Sequence, residues 1–334
     1  MKRLRAGVIG LGVGEEHIAG YQSHPDCTVV ALCDFSDEKL RTVGAKYPGI
    51  RLSSQAGEVL QDPEIDVVSI ASYDNYHYEQ IVQAINYDKH IFVEKPLCLY
   101  ENEAAHIRAL LEQKPGLKMS SNLILRMSPR FRLLKQMISD GEMGQLFYVE
   151  GDYNYGRFYK ITDGWRGKID YYSAVCGGGV HMVDLLLWLT RDRVVEVAAY
   201  GNNLSSQGTM FRYNDMVVSI LKFQSGMVGK VAANLGCVSP HFHALSVYGT
   251  KATFVNGLKY GMLFESRDPS QSGRKIKAPY PGAQKGALIH SFVDSILNRS
   301  QAEVTLEEIF ETMSVCFAIE KAAHQSSSAV VEYI

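Results

Sequence analysis

Long apolar runs are the first thing this 334-residue sequence lacks. No stretch approaches the roughly 20 apolar residues that a membrane-spanning helix needs, so no membrane partner is expected. Cysteine is sparse and scattered: Cys27, Cys33, Cys98, Cys176, Cys237 and Cys316 include no CxxC pair. That spacing argues against a disulfide framework or a zinc knuckle and fits a reducing, cytoplasmic setting. An excess of basic charge is missing too. The formal net charge of −2 offers nothing to draw in nucleic acid or an anionic membrane surface. Internal repeats and low-complexity tracts are absent. The opening MKRLRAGVIG breaks into glycines too soon for a signal sequence and reads as a first strand.

What is present is an ordinary globular composition, in a chain longer than one hydrophobic core usually serves. Two textures divide it. Up to about Leu123, buried-type apolar runs alternate with helical stretches: Arg5–Ile9, Val29–Cys33, Ile65–Ala71 and His90–Val93, with helices around 36–46 and 76–88. Continuous apolar strands alternating with helices predict a parallel sheet covered on both faces. Beyond it, aromatic-rich strands of period two predict a mostly antiparallel open sheet: 146–153, 194–200, 216–223, 228–234, 244–248 and 252–256. Helices are expected at 130–140, 181–189, 288–299 and 306–324, and a polar Gly/Pro-rich surface loop at 266–285. The expected fold class is therefore α/β: a Rossmann-type domain, residues 1–123, and an α+β domain, residues 124–334, for substrate binding and oligomerisation.

The first constellation is Gly10-Leu11-Gly12-Val13-Gly14, between a strand and a helix. A tight turn and a close approach of backbone to a pyrophosphate both exclude a Cβ. The helix start then offers unpaired N–H groups to phosphate. The usual spacing wants a third small residue at Glu15, and Gly14 comes one residue early, so an irregular helix start is expected. Asp34 ends the second strand, where a carboxylate can accept ribose hydroxyls and repel a 2′-phosphate. No arginine immediately follows it, which favours NAD over NADP.

The second constellation is Glu94-Lys95-Pro96, at the carboxyl end of a predicted parallel strand, the end at which open α/β sheets bind ligands. An ammonium there can hold a substrate hydroxyl and share its proton as hydride leaves the carbon. With these residues in view, GVIGLGVG, ALCDFSDEK, DVVSIASYDNYHYEQ and HIFVEKPL, followed by GWRGK and GGGVHMVDLLLWL, resemble the glucose-fructose oxidoreductase / inositol dehydrogenase / rhizopine catabolism (Gfo/Idh/MocA) family across nearly the whole chain. The resemblance implies a nicotinamide cofactor, a sugar, cyclitol or nucleotide-sugar substrate, and hydride transfer at a hydroxyl carbon. It places Lys95 beside the nicotinamide, with Glu94 at the cofactor, and His181 in the active site. Two other activities occur on this frame: a glycosidase with tightly held NAD and a cofactor-sensing regulator.

His181 follows Gly177-Gly178-Gly179-Val180, at the expected first turn of an apolar helix, where the positive helix end favours a neutral imidazole able to act as a base. Relatives often carry an aspartate four residues before this histidine; here that position is Gly177. Lys95, water, Tyr171 or Tyr172 are the candidates to relay its proton. The loop Ser72-Tyr73-Asp74-Asn75-Tyr76-His77 replaces the usual Thr-Pro-Asn and is expected at the cofactor through Ser72, Tyr73 and His77. Asp74 is read toward cofactor or substrate. Trp165 and Arg166 resemble a segment that folds over the active site and suit sugar recognition. Arg126 is a candidate for an anionic substrate group, with a structural ion pair as the alternative. His241 and His243 share a strand face, but no acid or cysteine cluster accompanies them, so no metal is expected. Aromatic-rich strands suggest a homodimer or homotetramer through the second sheet.

Overall fold

Leu4–Ile9 (β1), Cys27–Cys33 (β2), Val67–Ile70 (β4) and His90–Val93 (β5) are apolar at nearly every position. Strands of that kind are stable only with both faces covered. In the computed structural model, which describes residues 3–284 and 286–334, they are joined by the short strands β3 (Arg51–Ser53) and β6 (Met119–Ser121). All neighbouring pairs run parallel, in the order β3-β2-β1-β4-β5-β6. Helices α1 (Gly14–Gln22), α2 (Asp37–Gly44), α3 (Ala56–Leu60), α4 (His77–Asn86) and α5 (Glu101–Glu112) connect them. This is the doubly wound arrangement with its switch point beside β1.

The chain divides into two compact units. The first comprises residues 1–124, 284–310 and 334, and the second residues 125–283 and 311–333. The segment 284–310 thus departs from the expected second domain. Its helix α9 (Ile289–Ile296) packs on α1 because both sides are small at the crossing: a Cβ on Gly20 would lie 2.9 Å from the Gly286 carbonyl oxygen and from Ile289 Cδ1. Phe292 meets Phe92 of β5 at 5.6 Å between ring centroids. Tertiary packing of this kind is not written in local periodicity.

The second unit holds α6 (Pro129–Ser139), α7 (Tyr159–Thr162), α8 (Val180–Thr190) and a nine-stranded sheet. Its strands are β7 (Leu146–Asn154), β8 (Val194–Asn202), β9 (Met216–Phe223), β10 (Val228–Asn234), β11 (Phe242–Gly249), β12 (Thr253–Val255), β13 (Gly261–Phe264), β14 (Arg274–Ile276) and β15 (Ser328–Val330). The order is β14-β13-β12-β11-β7-β10-β9-β8-β15, antiparallel except for β7 beside β10. Alternation sorts the two faces. Val217, Leu221 and Phe223 are buried, whereas Val218 and Ile220 are exposed. Helix α8 lies close on the inner face because Gly151 leaves room for Met182; a Cβ at 151 would be 2.6 Å from Met182 Cε. The expected loop 266–285 contains β14, a three-residue edge strand too short to show a period. The boundary between units falls within the last helix, α10 (Leu306–Gln325).

Candidate active site

The carboxyl edge of the parallel sheet gathers the first set of candidate residues. In each case the residue just past the strand still bonds into the ladder: Gly10 N–H to Cys33 O, Asp34 to Ser53 O, Ala71 to Ile9 O, Glu94 to Ile70 O and Asn122 to Val93 O. Gly10 adopts φ +85°, and a Cβ there would meet the Ala71 carbonyl oxygen at 2.3 Å. A Cβ on Gly14 would touch Val8 and Ala71 at 3.0 and 3.1 Å. Gly12 differs: its missing Cβ faces open space, with only Lys39 Nζ within 4 Å, at 3.6 Å. Helix α1 starts at Gly14 from Val13, with no side-chain cap, so the irregular start expected from the glycine spacing leaves its first N–H groups uncapped. Asp34 locks the turn. Its Oδ2 accepts from Leu11 N–H at 2.8 Å and its Oδ1 from Ser36 N–H at 2.9 Å. Each carboxylate oxygen has a second lone pair for a ribose hydroxyl. A bare backbone cradle beside an oriented carboxylate fits NAD.

Behind this edge lies a buried polar cluster. Glu94 Oε1 accepts from Asn122 Nδ2 at 2.6 Å and meets His17 Nε2 at 3.2 Å, while His17 Nδ1 meets Ser69 Oγ at 2.8 Å. Burial, the largest single influence, pushes the Glu94 carboxyl up. The hydrogen bond and charge of His17, the Lys95 charge and the Asn122 amide together outweigh it and hold the group down at about 2. Glu94 is therefore a fixed anion next to the half-buried Lys95. His77 is fully buried, with Nδ1 at 2.7 Å from Pro96 O and Nε2 at 3.2 Å from Ser72 O. That corrects its expected contact with cofactor: the ring ties the loop at 72 to the turn at 96. Ser72 Oγ donates to Gln80, and Tyr73 packs edge-on to the exposed Phe35 at 5.4 Å. Asp74 is buried, and its Oδ2 has no hydrogen-bond partner.

In the second unit the glycine run is not a loop before a helix. Val175–Gly179 forms a π-helical turn continuous with α8, so His181 lies beyond a turn of helix rather than at a free helix start. The helix-end effect expected at His181 acts instead near Ala174. The π turn is filled by rings. A Cβ on Gly177 would lie 2.3 Å from Tyr172 Oη, and one on Gly178 would lie 2.4 Å from Tyr153 Cε1. Tyr153 stacks on His181 at 6.0 Å and on Tyr155 at 5.8 Å. His243 stands edge-on to His181 at 5.7 Å and bonds Tyr280 Oη through Nδ1 at 2.7 Å. Arg166 Nε donates to Tyr172 Oη at 3.2 Å, and its guanidinium lies 4.5 Å over the Trp165 ring.

Arg126, a candidate for an anionic substrate group, is buried. Its Nε donates to both oxygens of Asp184, at 3.0 and 3.1 Å, and both side chains are 1% exposed. A guanidinium matched in this way holds α8 to the segment before α6. Among the described residues no group of three or more His, Cys, Asp or Glu side chains is placed to hold a metal, and no helix is long and apolar enough to cross a membrane. His17, Asn122 and Tyr153 were not foreseen. His17 shares the buried stripe of α1 with Gly14, Ile18 and Tyr21, and a polar residue in such a stripe is a detectable signal. Asn122 follows β6, a strand of three residues that leaves almost no pattern.

A sheet in the order 3-2-1-4-5-6, with a bare glycine turn after its first strand and a backbone-held carboxylate after its second, defines the class of dinucleotide-binding oxidoreductases. The profile described as an oxidoreductase family with an NAD-binding Rossmann fold matches residues 4–121, and that of the GFO/IDH/MocA C-terminal domain matches residues 131–255. The chain belongs to the Gfo/Idh/MocA oxidoreductase family and is NAD-dependent. It is similar to myo-inositol 2-dehydrogenase of Thermotoga maritima, at 26% identity over 74% of this chain and 73% of that one. It is also similar to scyllo-inositol 2-dehydrogenase (NAD(+)) of Bacillus subtilis, at 27% identity over 77% and 75%. In fold it resembles levoglucosan dehydrogenase solved with NADH and L-sorbose, with a TM-score of 0.86 and 20% identity over 99% of each chain.

Proposed function

We propose that this enzyme oxidises a secondary hydroxyl of a cyclitol or sugar, reversibly. The observation that carries the reading is the sheet edge at which a bare glycine turn, Asp34 and Glu94-Lys95 follow β1, β2 and β5 of one parallel sheet. The inositol dehydrogenase relatives support a polyol substrate. Bound NAD supplies the hydride acceptor. Gly10, Gly12, Val13 and Gly14 offer bare backbone to its pyrophosphate, Asp34 takes ribose hydroxyls and disfavours a 2′-phosphate, and Ser72 and Tyr73 flank it. Lys95, with the Glu94 anion next to it, holds the reacting hydroxyl. His181 takes its proton. Asp74, Trp165, Arg166 and Tyr172 bind the remaining hydroxyls; the unmatched buried Oδ2 of Asp74 is an acceptor of that kind.

The unit built on residues 1–123 serves the cofactor, and the unit of residues 125–283 and 311–333 serves substrate and assembly. The outer face of the second sheet presents Tyr200, Val218, Ile220 and Val228 on adjacent strands. An exposed apolar patch of this kind suits a homodimer or homotetramer of a cytoplasmic protein. Light scattering is expected to give more than one protomer, and Ile220→Glu to reduce the mass.

The test of function is NADH formation with myo-inositol, scyllo-inositol, free sugars and nucleotide sugars. Turnover is expected with a cyclitol or sugar, with NADP at least about tenfold poorer. In Lys95→Ala the rate is expected to fall by about 10²–10⁴. No turnover of any polyol sinks the reading.

A further inference from the structure

His241 and His243 stand outside the groups assigned to the reaction, yet both pack into the ring stack around His181. Their surroundings fix the Nδ1 of each ring. His241 Nδ1 faces the carbonyl oxygens of Asn154 and Tyr155 at 3.2 and 3.1 Å. A carbonyl only accepts, so this nitrogen carries a proton. His243, buried on β11, is the opposite case. Its backbone N–H donates to Tyr280 Oη at 2.8 Å, and its Nδ1 lies 2.7 Å from the same oxygen. The phenol proton has one acceptor within reach among the described residues, and that is His243 Nδ1. Tyr280 therefore donates to Nδ1, and the neutral ring carries its proton on Nε2. Burial pushes the Tyr280 phenol up to about 12, so its proton stays in place.

Arg130 frames this contact from both sides. It is 1% exposed. Its Nε donates to Ala278 O at 2.9 Å, its Nη1 to Asn256 Oδ1 at 2.8 Å, and its guanidinium lies 5.4 Å over the Tyr280 ring. Asn256 Nδ2 in turn donates to His243 O at 2.9 Å. Phe131 and Phe242 pack on the Tyr280 ring at 5.5 and 5.4 Å.

We propose that Tyr280 is a positioning residue that holds His243 neutral, so that His181 meets no second imidazolium when it takes the substrate proton. The inference rests on the reading of His181 as the base. Protonating His243 would set an Nδ1–H against the Tyr280 oxygen, which already accepts the backbone N–H, and would take away the acceptor of the phenol proton. The benefit to His181 is electrostatic. Its ring lies 5.7 Å from that of His243, and two positive charges at such a distance repel strongly in a buried site. The other groups around His243 are Tyr153 at 5.4 Å and His241 at 4.8 Å. The charges of Arg166 and Arg157 already reach Tyr153 and add to the penalty for another cation there. His241, with its Nδ1–H on two carbonyls, suits either charge state and is the ring of the pair that can titrate.

The experiment compares wild type, Tyr280→Phe, His243→Gln and the double variant Tyr280→Phe/His243→Gln, by NMR of isotope-labelled histidine and by kcat against pH. Tyr280→Phe keeps the packed ring and removes only the hydroxyl. In wild type, His243 is expected to show an unprotonated Nδ1 and a protonated Nε2, unchanged between about pH 5 and 8. In Tyr280→Phe it should take up a second proton with a midpoint near about 6.5. The ratio of variant to wild-type kcat should then be close to one at about pH 8 and fall about tenfold by about pH 5. The double variant has no imidazole at 243 and should lose that pH dependence. His241 is common to all the variants, so the ratio reads His243 alone. A defect in packing would lower the rate alike at every pH. A wild-type His243 protonated on Nδ1, or a Tyr280→Phe ratio that is flat with pH, overturns this inference and leaves the dehydrogenase reading standing. Wild type that turns over no polyol overturns the reading of His181, and the role given to Tyr280 falls with it.

Discussion

Two glycine clusters lie beside the candidate site residues of this chain, and they use the missing side chain in opposite ways. At Gly10–Gly14 the space is walled by backbone on one side and open on the other. A Cβ at Gly10 would strike the Ala71 carbonyl, while one at Gly12 would strike nothing. At Gly177–Gly178 the space is already full of the chain's own tyrosine rings. The first cluster is held by hydrogen bonds to backbone, through Asp34 and the strand-end ladder. The second is held by packed rings and one guanidinium. Glycine marks close approach in both places, but only in the first is a ligand the expected neighbour.

The contrast breaks most sharply under an added methyl. In Gly10→Ala the new Cβ faces a positive φ and a backbone carbonyl at once, and neither can yield. A loss of at least about 3 kcal/mol is expected, together with NAD binding. Gly177→Ala presses on a side chain instead, and overpacking costs about 1–3 kcal/mol. Its NADH affinity should stay at wild-type level. Melting curves and NADH titration read both quantities. Equal losses of NADH affinity in the two variants would erase the distinction drawn here.

The hydrogen-bonded corner should also be the acid-sensitive one. Glu94 is held at about 2, below its ordinary value of 4.5, by His17, Lys95 and Asn122 acting against burial. A depressed carboxyl stabilises the folded state above its unfolded value and loses that contribution as pH falls through its folded value. Stability should therefore decline between pH 4.5 and about 2, by up to about 3 kcal/mol from this group. Asn122→Ala removes one of the groups holding the anion. Its stability at neutral pH should be lower, by about 1–2 kcal/mol, and its decline through the same window shallower. Urea unfolding at a series of pH values checks this. A slope unchanged in Asn122→Ala would show that the amide does not hold the anion.

How much of this was legible in the sequence follows from the same contrast. The places of Asp34 and Lys95 just past β2 and β5 were readable because an apolar strand points to its own end, and the end of a parallel strand is where ligands bind. Asn122 was not, because three residues of β6 carry no period. The ring stack around His181 was hidden for a different reason. Tyr153 and His243 come from separate strands, and only the tertiary fold brings them to His181. Arg126 illustrates the converse: its residue type suggested a substrate contact, and burial against Asp184 removed it. Segment 284–310 joins the first unit through the small-residue crossing of Gly20 and Gly286, which no local pattern announces.

Gly12 supplies the finest test, because its expected effect on stability is the smallest. Its φ is not positive and its Cβ would find only the tip of Lys39 at 3.6 Å, an ordinary contact with a flexible chain. Alanine also lowers the entropy of the unfolded chain. The apo protein should therefore melt within about half a kcal/mol of wild type, on the favourable side. Affinity for NAD should nevertheless fall, by about tenfold, because the methyl would stand where the pyrophosphate must approach backbone. Gly10→Ala confounds folding with binding, and Gly12→Ala separates them. Unchanged NADH affinity in a stable Gly12→Ala protein would mean that the open side of the turn is not the side the cofactor meets, and the likeness between the two glycine clusters would then be closer than their surroundings suggest.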